Sequence, residues 1–358
     1  MGGEDKIAMV GTPCQIIAAT LMEKYSSQLK RNFPIDIKIG LFCMENFSYE
    51  YLKKLLHSYG IKFRDVVSCR IEGSNAYFHL INKDVVSIPL STLRKSMRKS
   101  CKICMDFTSE LADISVGSVG SPKGWSTVII RSEKGLKLVE KAKKAKYIET
   151  KMLDADRLNL IEKLAKIKKN KNLEEIKNRE RVARPVMYWR IMPEEIFLNE
   201  VENYQFKDLK GDVIDVGACV LCGACFFSCP EDIIKIEDRK PEINGKCPPG
   251  CNACYIACPR SYVPDCIVNH EDAYSALGNY IEIISARSPF FKGQDGGVVT
   301  ALLACALSEK IVNKVLIVDK DPEKPWKPLP ILTDKIDDVV KASGTKYSVC
   351  PIFKALKE

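Results

Sequence analysis

The chain has 358 residues, 46% of them hydrophobic, and a formal charge of +9 at pH 7. That length exceeds one ordinary core of roughly 100–200 residues, so two or three modules are expected. No apolar run approaches the roughly 18 residues that span a bilayer, and MGGEDKIAMV lacks the basic-then-apolar pattern of a secretory leader; the sixteen cysteines therefore read as reduced, metal-binding thiols of the cytoplasm.

In chain order, KIAMV reads as a strand, CQIIAATLMEKYSS as a helix and IDIKIGLFC as a second strand, a parallel strand-helix-strand unit. Residues 65–90 read as a short meander, with AYFHLI and DVVSIPL separated by Asn-Lys. ISVGSVGSPKGWSTVIIRSEKGLKLVEKAKKAK then gives a Gly/Ser/Pro loop, a strand and a helix. From Lys163 to Arg184 nine Lys/Arg stand against three Glu, and Leu160, Leu164 and Ile167 recur at helical spacing, with Pro185 as the stop. A solvated helix face is the plain explanation of that charge and attraction of an anionic partner the alternative. Nucleic acid is disfavoured, because no finger, RNA-recognition signature or aromatic-basic interleaving accompanies it. Past residue 269 the alternation returns: NYIEIISAR strand, GGVVTALLACALSEK helix, NKVLIVD strand, KIDDVVKAS helix. The expected fold is α/β, then a cysteine-rich insert, then α/β again.

The insert carries the strongest signal. CVLCGACFFSCP places Cys219, Cys222, Cys225 and Cys229 before a proline, and CPPGCNACYIACP places Cys247, Cys251, Cys254 and Cys258 likewise. This is the run of a bacterial two-cluster ferredoxin, in which three thiolates wrap one cube and the fourth crosses to the other. Cys219, Cys222, Cys225 and Cys258 should hold one 4Fe-4S cluster, and Cys247, Cys251, Cys254 and Cys229 the second. The spacing departs from the standard run at one point, with three residues between Cys247 and Cys251 in place of two. Structural zinc would need only four ligands and no paired Cys-Pro run.

Outside the insert, Cys14 lies at a strand-to-helix turn and Cys43 at the end of the next parallel strand, positions that converge on the crevice where α/β folds bind ligands. With the CKIC pair Cys101 and Cys104 they make a third four-thiol set, although each alone is as well explained as a buried structural thiol. Cys69, Cys266, Cys305 and Cys350 have no partner spacing. GQDGGVVTALL follows a strand and opens a helix whose terminal amides can hold a phosphate, though a Gly-Gly before a helix is also ordinary loop. SGTKY at 343–347 and SVGSPKG at 118–124 are two further candidate loops, and a nicotinamide-type GxGxxG is absent.

Taken together, VGTPCQ, GLFCMENFSYE, CKICMDFTSELADISVGSVGSPKGWSTVIIR, GQDGGVVTALL and SGTKY closely resemble the family of coenzyme F420 hydrogenase/dehydrogenase beta subunits. The resemblance implies an α/β flavoprotein domain in two sequence halves with an inserted two-cluster ferredoxin domain: residues 1–190 as the C-terminal-type half, 191–268 as the ferredoxin and 269–358 as the N-terminal-type half. Relatives run ferredoxin, N-terminal-type half, C-terminal-type half, so the order here is that of a circular permutation, which close surface termini tolerate, or of a reciprocal swap between two chains.

The resemblance further implies FAD, three 4Fe-4S clusters and coenzyme F420 as substrate: reduced F420 gives a hydride to FAD, and electrons leave singly through the clusters to a partner. It carries no catalytic side chain, since the cofactors do the chemistry. By motif position Gly296, Gly297, Val298 and Thr300 fall to the FAD phosphates, with Gly344, Thr345, Lys346 and Tyr347 nearby, and Thr12, Pro13 and Gln15 to the flavin side of the Cys14 turn. Arg287, Lys292 and Lys123 are candidates to pair with the anionic groups of F420. The added ferredoxin gives the likeness of the electron-input subunit of an archaeal F420H2 dehydrogenase, cytoplasmic or peripheral to the membrane through a partner. That partner would be a membrane dehydrogenase complex, a free ferredoxin, or a heterodisulfide or sulfite reductase module. The alternative is a non-flavin, ferredoxin-type electron-transfer adaptor.

Overall fold

A computed structural model describes residues 5–237, 240–267 and 275–357. Eight strands form one sheet in the order Pro328–Thr333, Lys314–Lys320, Ile7–Gly11, Ile35–Leu41, Ile114–Gly117, Ser126–Ile130, Glu282–Arg287, Glu149–Met152. The inner run from Lys314–Lys320 to Ile114–Gly117 is parallel, and the outer pairs are antiparallel, so the sheet is mixed. Strands from the two ends of the sequence alternate within it. Ile7 pairs with Lys314, and Glu282–Arg287 lies between Ser126–Ile130 and Glu149–Met152.

Both faces of the sheet are covered, which is why its inner strands are apolar on consecutive residues. On one face Ala8, Ile37, Ile39, Val116 and Val128 pack under the helices Glu133–Lys144, Val298–Ser308 and Ile336–Lys341. On the other, Ile7 and Met9 pack with the helix Pro13–Lys24 and with insert residues such as Phe197, Phe227, Tyr255 and Ile256. The cysteine-rich insert is thus one wall of the main core. A separate three-stranded meander, Val66–Glu72, Asn75–Leu80 and Val85–Pro89, packs on the helix Tyr49–Ser58 through Phe78, Leu52 and Leu56.

Several sequence expectations need correction. Ile114–Gly117 is a strand of the main sheet, and the loop begins only after it. Pro328–Thr333 is an additional edge strand; its two prolines conceal it, and an edge is where strand proline is tolerated. The basic helix starts at Ala155 and ends at Arg181, short of Pro185. Its buried stripe is Ile161, Ala165, Lys168, Asn172 and Ile176, while Leu160 and Ile167 are exposed. The expected boundary at 268–269 falls outside the described residues.

The helix Glu133–Lys144 approaches the sheet so closely that a Cβ on Gly135 would stand 2.3 Å from the carbonyl oxygen of Asp113. In an unconstrained helix Gly→Ala gains about 0.5–1 kcal/mol. Here Gly135→Ala is expected to cost about 1–3 kcal/mol through overpacking, and the sign of the change in urea unfolding midpoint decides between the two.

Candidate functional site

The turn carrying Cys14 is fixed by backbone chemistry. Thr12 caps the helix Pro13–Lys24 from an extended conformation, and Pro13 occupies the first helical position, where no N–H is missed. The Gln15 side chain reaches back, its Oε1 accepting from the Thr12 N–H (2.9 Å) while Nε2 donates to the Cys350 carbonyl (2.9 Å). Gln15 therefore clamps this turn to the C-terminal segment, and Thr12 Oγ1 lies 3.3 Å from Cys14 Sγ. Cys43 follows the neighbouring strand Ile35–Leu41, and its N–H is held by the Phe107 carbonyl (2.9 Å).

These elements bring Cys14, Cys43, Cys101 and Cys104 to the wall of one cavity, together with Thr12, Pro13 and Gln15. The CKIC loop is pinned from the basic helix: Asn172 Nδ2 donates to the carbonyls of Cys101 (2.9 Å) and Cys104. One turn earlier, Lys168, only 3% exposed, donates to the carbonyls of Cys43 and Asp106 (2.7 Å to the latter) and also lines the cavity. Arg260 enters from the insert two residues past Cys258; it is 1% exposed, lies 4.5 Å over the Tyr188 ring, and its Nε has no hydrogen-bond partner. Hydropathy patterning overlooks all three, because a stripe search scores apolar residues and these are polar groups turned inward. The signal available was that Lys168 and Asn172 continue Ile161 and Ala165 at three- and four-residue steps.

Electrostatics mark the same cavity. Burial pushes the Cys101 thiol up to about 11 and raises Cys14 and Cys43, with neighbouring thiols of the set adding to the rise. Burial acts on Cys104 in the same direction, yet Lys168 and Arg260 outweigh it and hold that thiol below its ordinary value. All sixteen cysteines are free thiols. Among the described residues no three Cys, His, Asp or Glu converge closely enough for a single metal ion; the four thiols instead ring a void. An orphaned guanidinium nitrogen, a buried ammonium and four soft thiols fit a soft-metal polyanion such as an iron-sulfur cube.

The eight insert cysteines fall into two neighbourhoods. Burial raises Cys222, with Cys258 and Cys219 adding, and raises Cys225, with Cys219 and Cys222 foremost among the added thiols. Cys254 is raised by burial and then by Cys247, Cys251 and Cys229. The first neighbourhood adjoins the cavity: Val220 lines it, and Arg98, whose carbonyl accepts from Cys101 N–H, donates to the Cys219 carbonyl (3.1 Å). Of the unassigned cysteines Cys69, Cys305 and Cys350 are buried and Cys266 is exposed.

The glycine loops lie beyond the cavity. Gly297 adopts a left-handed φ of 67° and a Cβ there would stand 2.0 Å from the Phe291 carbonyl oxygen, so only glycine fits. Gly296 donates its N–H to Ser126 Oγ (3.2 Å), and Val298 and Thr300 face the core; an anion here would meet main-chain amides rather than those two side chains. Gln294 Nε2 donates to Tyr347 OH (3.3 Å), which joins this loop to SGTKY, where Gly344 and Thr345 are exposed. Burial lowers Lys346 to about 8. Arg287 is already paired with Glu149 (2.8 Å), whereas Lys292 and Lys123 are exposed.

Comparison with known proteins fixes the lineage. For the coenzyme F420 hydrogenase/dehydrogenase beta subunit, the C-terminal family model matches residues 4–156 and the N-terminal family model matches residues 283–357. The chain belongs to this family of coenzyme F420 hydrogenase/dehydrogenase beta subunits. It is 43% identical to the coenzyme F420 hydrogenase beta subunit of Methanococcus voltae over 51% of this chain and 66% of that one. The beta subunit of the Methanothermobacter thermautotrophicus enzyme is 34% identical, over 52% and 67%. A subunit of the F420H2 dehydrogenase of Methanosarcina mazei is 34% identical over 48% of each chain. The chain spans about two thirds of the length of these hydrogenase subunits and about half of the dehydrogenase one.

The family's two halves stand in inverted order along this chain, as the resemblance implied. The described ends meet one segment: Ile7 N–H donates to the Pro34 carbonyl (3.0 Å), and Phe353 lies against Phe33 at 6.1 Å between ring centroids. The junction itself, residues 1–4 and 358, lies outside the described residues.

Asn172→Leu would leave the Cys104 carbonyl unpaired, at about 1–3 kcal/mol, and the Cys101 carbonyl with only the long bond from the Cys104 N–H (3.4 Å). The expected outcome is faster alkylation of Cys101 and Cys104 in metal-free protein, with Cys305 unaffected; equal rates in variant and parent would contradict the pinning role.

Proposed function

We propose that the chain is the electron-input subunit of an F420-dependent flavin and iron-sulfur oxidoreductase, taking electrons from reduced coenzyme F420 and delivering them to a partner within a larger complex. When bound, FAD would exchange a hydride with the deazaflavin, and three 4Fe-4S clusters would carry its two electrons away singly. The single observation that carries this reading is the cavity in which Cys14, Cys43, Cys101 and Cys104 meet beside the insert's own cysteines.

Each part of the chain has a definable task under this reading. The clamped Thr12–Gln15 turn and the pinned CKIC loop hold four thiols from three separated segments around one void. Cys219, Cys222, Cys225 and Cys258 hold the next cluster, and Cys229, Cys247, Cys251 and Cys254 the outermost. The loops at Gly296–Gly297 and Gly344–Tyr347 offer main-chain amides and the Lys346 ammonium to the FAD phosphates. Lys123 and Lys292 remain candidates for the anionic tail of F420, while Arg287 would first have to leave Glu149. The relatives are themselves named as subunits, which supports a partner complex. No helix of the described residues is long and apolar enough to cross a membrane.

Anaerobically reconstituted protein should contain about twelve irons and one FAD per chain, against about eight irons and no flavin for a ferredoxin-type adaptor. Cys43→Ala should remove about four of the irons. A chain loaded with the full iron complement and FAD that fails to oxidise reduced F420 with an artificial acceptor would overturn the substrate and leave the cofactor assignment standing.

The Lys346 ammonium adds a pH signature. Burial depresses it to about 8, with Asp319 and Cys350 favouring and Lys320 opposing the charged form. Below that pH the free protein already carries the charge; above it, phosphate binding has to restore a lost proton. FAD affinity measured by flavin fluorescence should be flat below about pH 8 and fall above it, by up to about tenfold per unit. Lys346→Met should bind FAD more weakly at neutral pH and abolish the slope.

A further inference from the structure

Two buried cations, Lys168 and Arg260, line the four-thiol cavity from opposite parts of the chain. A buried charge is tolerated only when compensated. The carboxylates nearby do not supply that compensation in full. Glu45, also on the cavity wall, is ion-paired with Arg94 (2.7 Å). Asp106 acts on Lys168 and on Cys104, but its side-chain oxygens accept from the Ser109 and Glu110 amides. Arg260 donates weakly to the Pro259 carbonyl through Nη1 (3.3 Å) and faces the Cys104 thiol, one of the four on the cavity wall, while its Nε has no partner. The content of the cavity is left to balance both cations.

We propose that Lys168 and Arg260 are the counter-charges that set the reduction potential of the cluster held by Cys14, Cys43, Cys101 and Cys104, raising it so that the flavin's electrons enter there. This rests on the cofactor assignment above. Four thiolates around an oxidised cube give a net charge of about −2, which two cations cancel. Reduction adds one electron, no atom and no proton, so the site ends near −1 instead of near −3. In a water-excluded cavity that difference favours the reduced form strongly. Neither residue touches a reacting atom; they are positioning residues acting through charge. Arg260 adds a link to the relay: its side chain faces this cavity while its backbone amide favours the Cys258 thiolate of the insert.

The test is an EPR-monitored redox titration of the fully reconstituted chain, with the cavity cluster identified as the signal missing from Cys43→Ala. Arg260→Gln is expected to make that cluster at least tenfold harder to reduce, a shift of about −59 mV for one electron, with the two insert clusters moved less. Arg260→Lys, which restores charge without the guanidinium shape, should recover most of the shift. Should Arg260→Gln lose iron, Lys168→Gln reads the same effect while keeping a donor to the Cys43 and Asp106 carbonyls. A full iron complement with all three potentials unchanged in both neutral variants would overturn the counter-charge role alone. About eight irons in the parent, the content of two clusters, would overturn the cavity cluster and this inference with it.

Discussion

The structure is organised around two cations and four thiols held together out of water. Four thiols from three stretches of sequence ring one void, and an ammonium and a guanidinium are buried against them. Neither set is stable alone: thiols crowded by burial resist ionisation, and cations in a protein interior demand an anion. An anionic group held by the four thiols would supply what both sets lack, and the segments that carry them meet at one place. The capped turn at Thr12, the inward polar stripe of the basic helix and the corner after Cys258 all serve that meeting.

The same constraint explains the position of the insert. Its residues form part of the main core beneath Ile7, Met9 and the helix Pro13–Lys24, and it is no appendage on a linker. Arg260 and Val220 reach the cavity from it, and Phe353 donates its N–H to the Cys222 carbonyl (3.2 Å). Were the insert's cysteines to hold the proposed clusters, packing of this kind would fix their spacing as a tether would not.

Most regular elements, and the convergence of Cys14, Cys43, Cys101 and Cys104, were legible in the sequence, because strand alternation and the ends of parallel strands leave local signals. The polar lining was not. The stripe Leu160, Leu164 and Ile167 satisfies a hydropathy criterion, yet the helix is rotated by about one residue so that Ile161, Ala165, Lys168 and Asn172 face inward. Burying Lys168 and Asn172 is favourable only because backbone carbonyls of other segments await them, a tertiary fact of which the helical spacing to Ile161 and Ala165 is the one local trace. Arg260 was hidden for the same reason, its neighbours in sequence being cysteines whose spacing dominates the local pattern. The inverted order of the halves was readable because motifs keep their identity wherever they stand; that both described ends approach Phe33 and Pro34 required the fold.

The alternation of early and late strands has a consequence for biogenesis. The strand Glu282–Arg287 must slot beside Ser126–Ile130, and Lys314–Lys320 beside Ile7–Gly11, so the sheet stays open along two edges until the last quarter of the chain has left the ribosome. Pairings of such long separation form slowly and leave strand edges exposed in the interim. The cavity at Cys14 and Cys43 shares that dependence, since its wall is completed only when Val349 and the Cys350 carbonyl reach the Cys14 turn, so the site that would hold the proposed cube is finished late in synthesis.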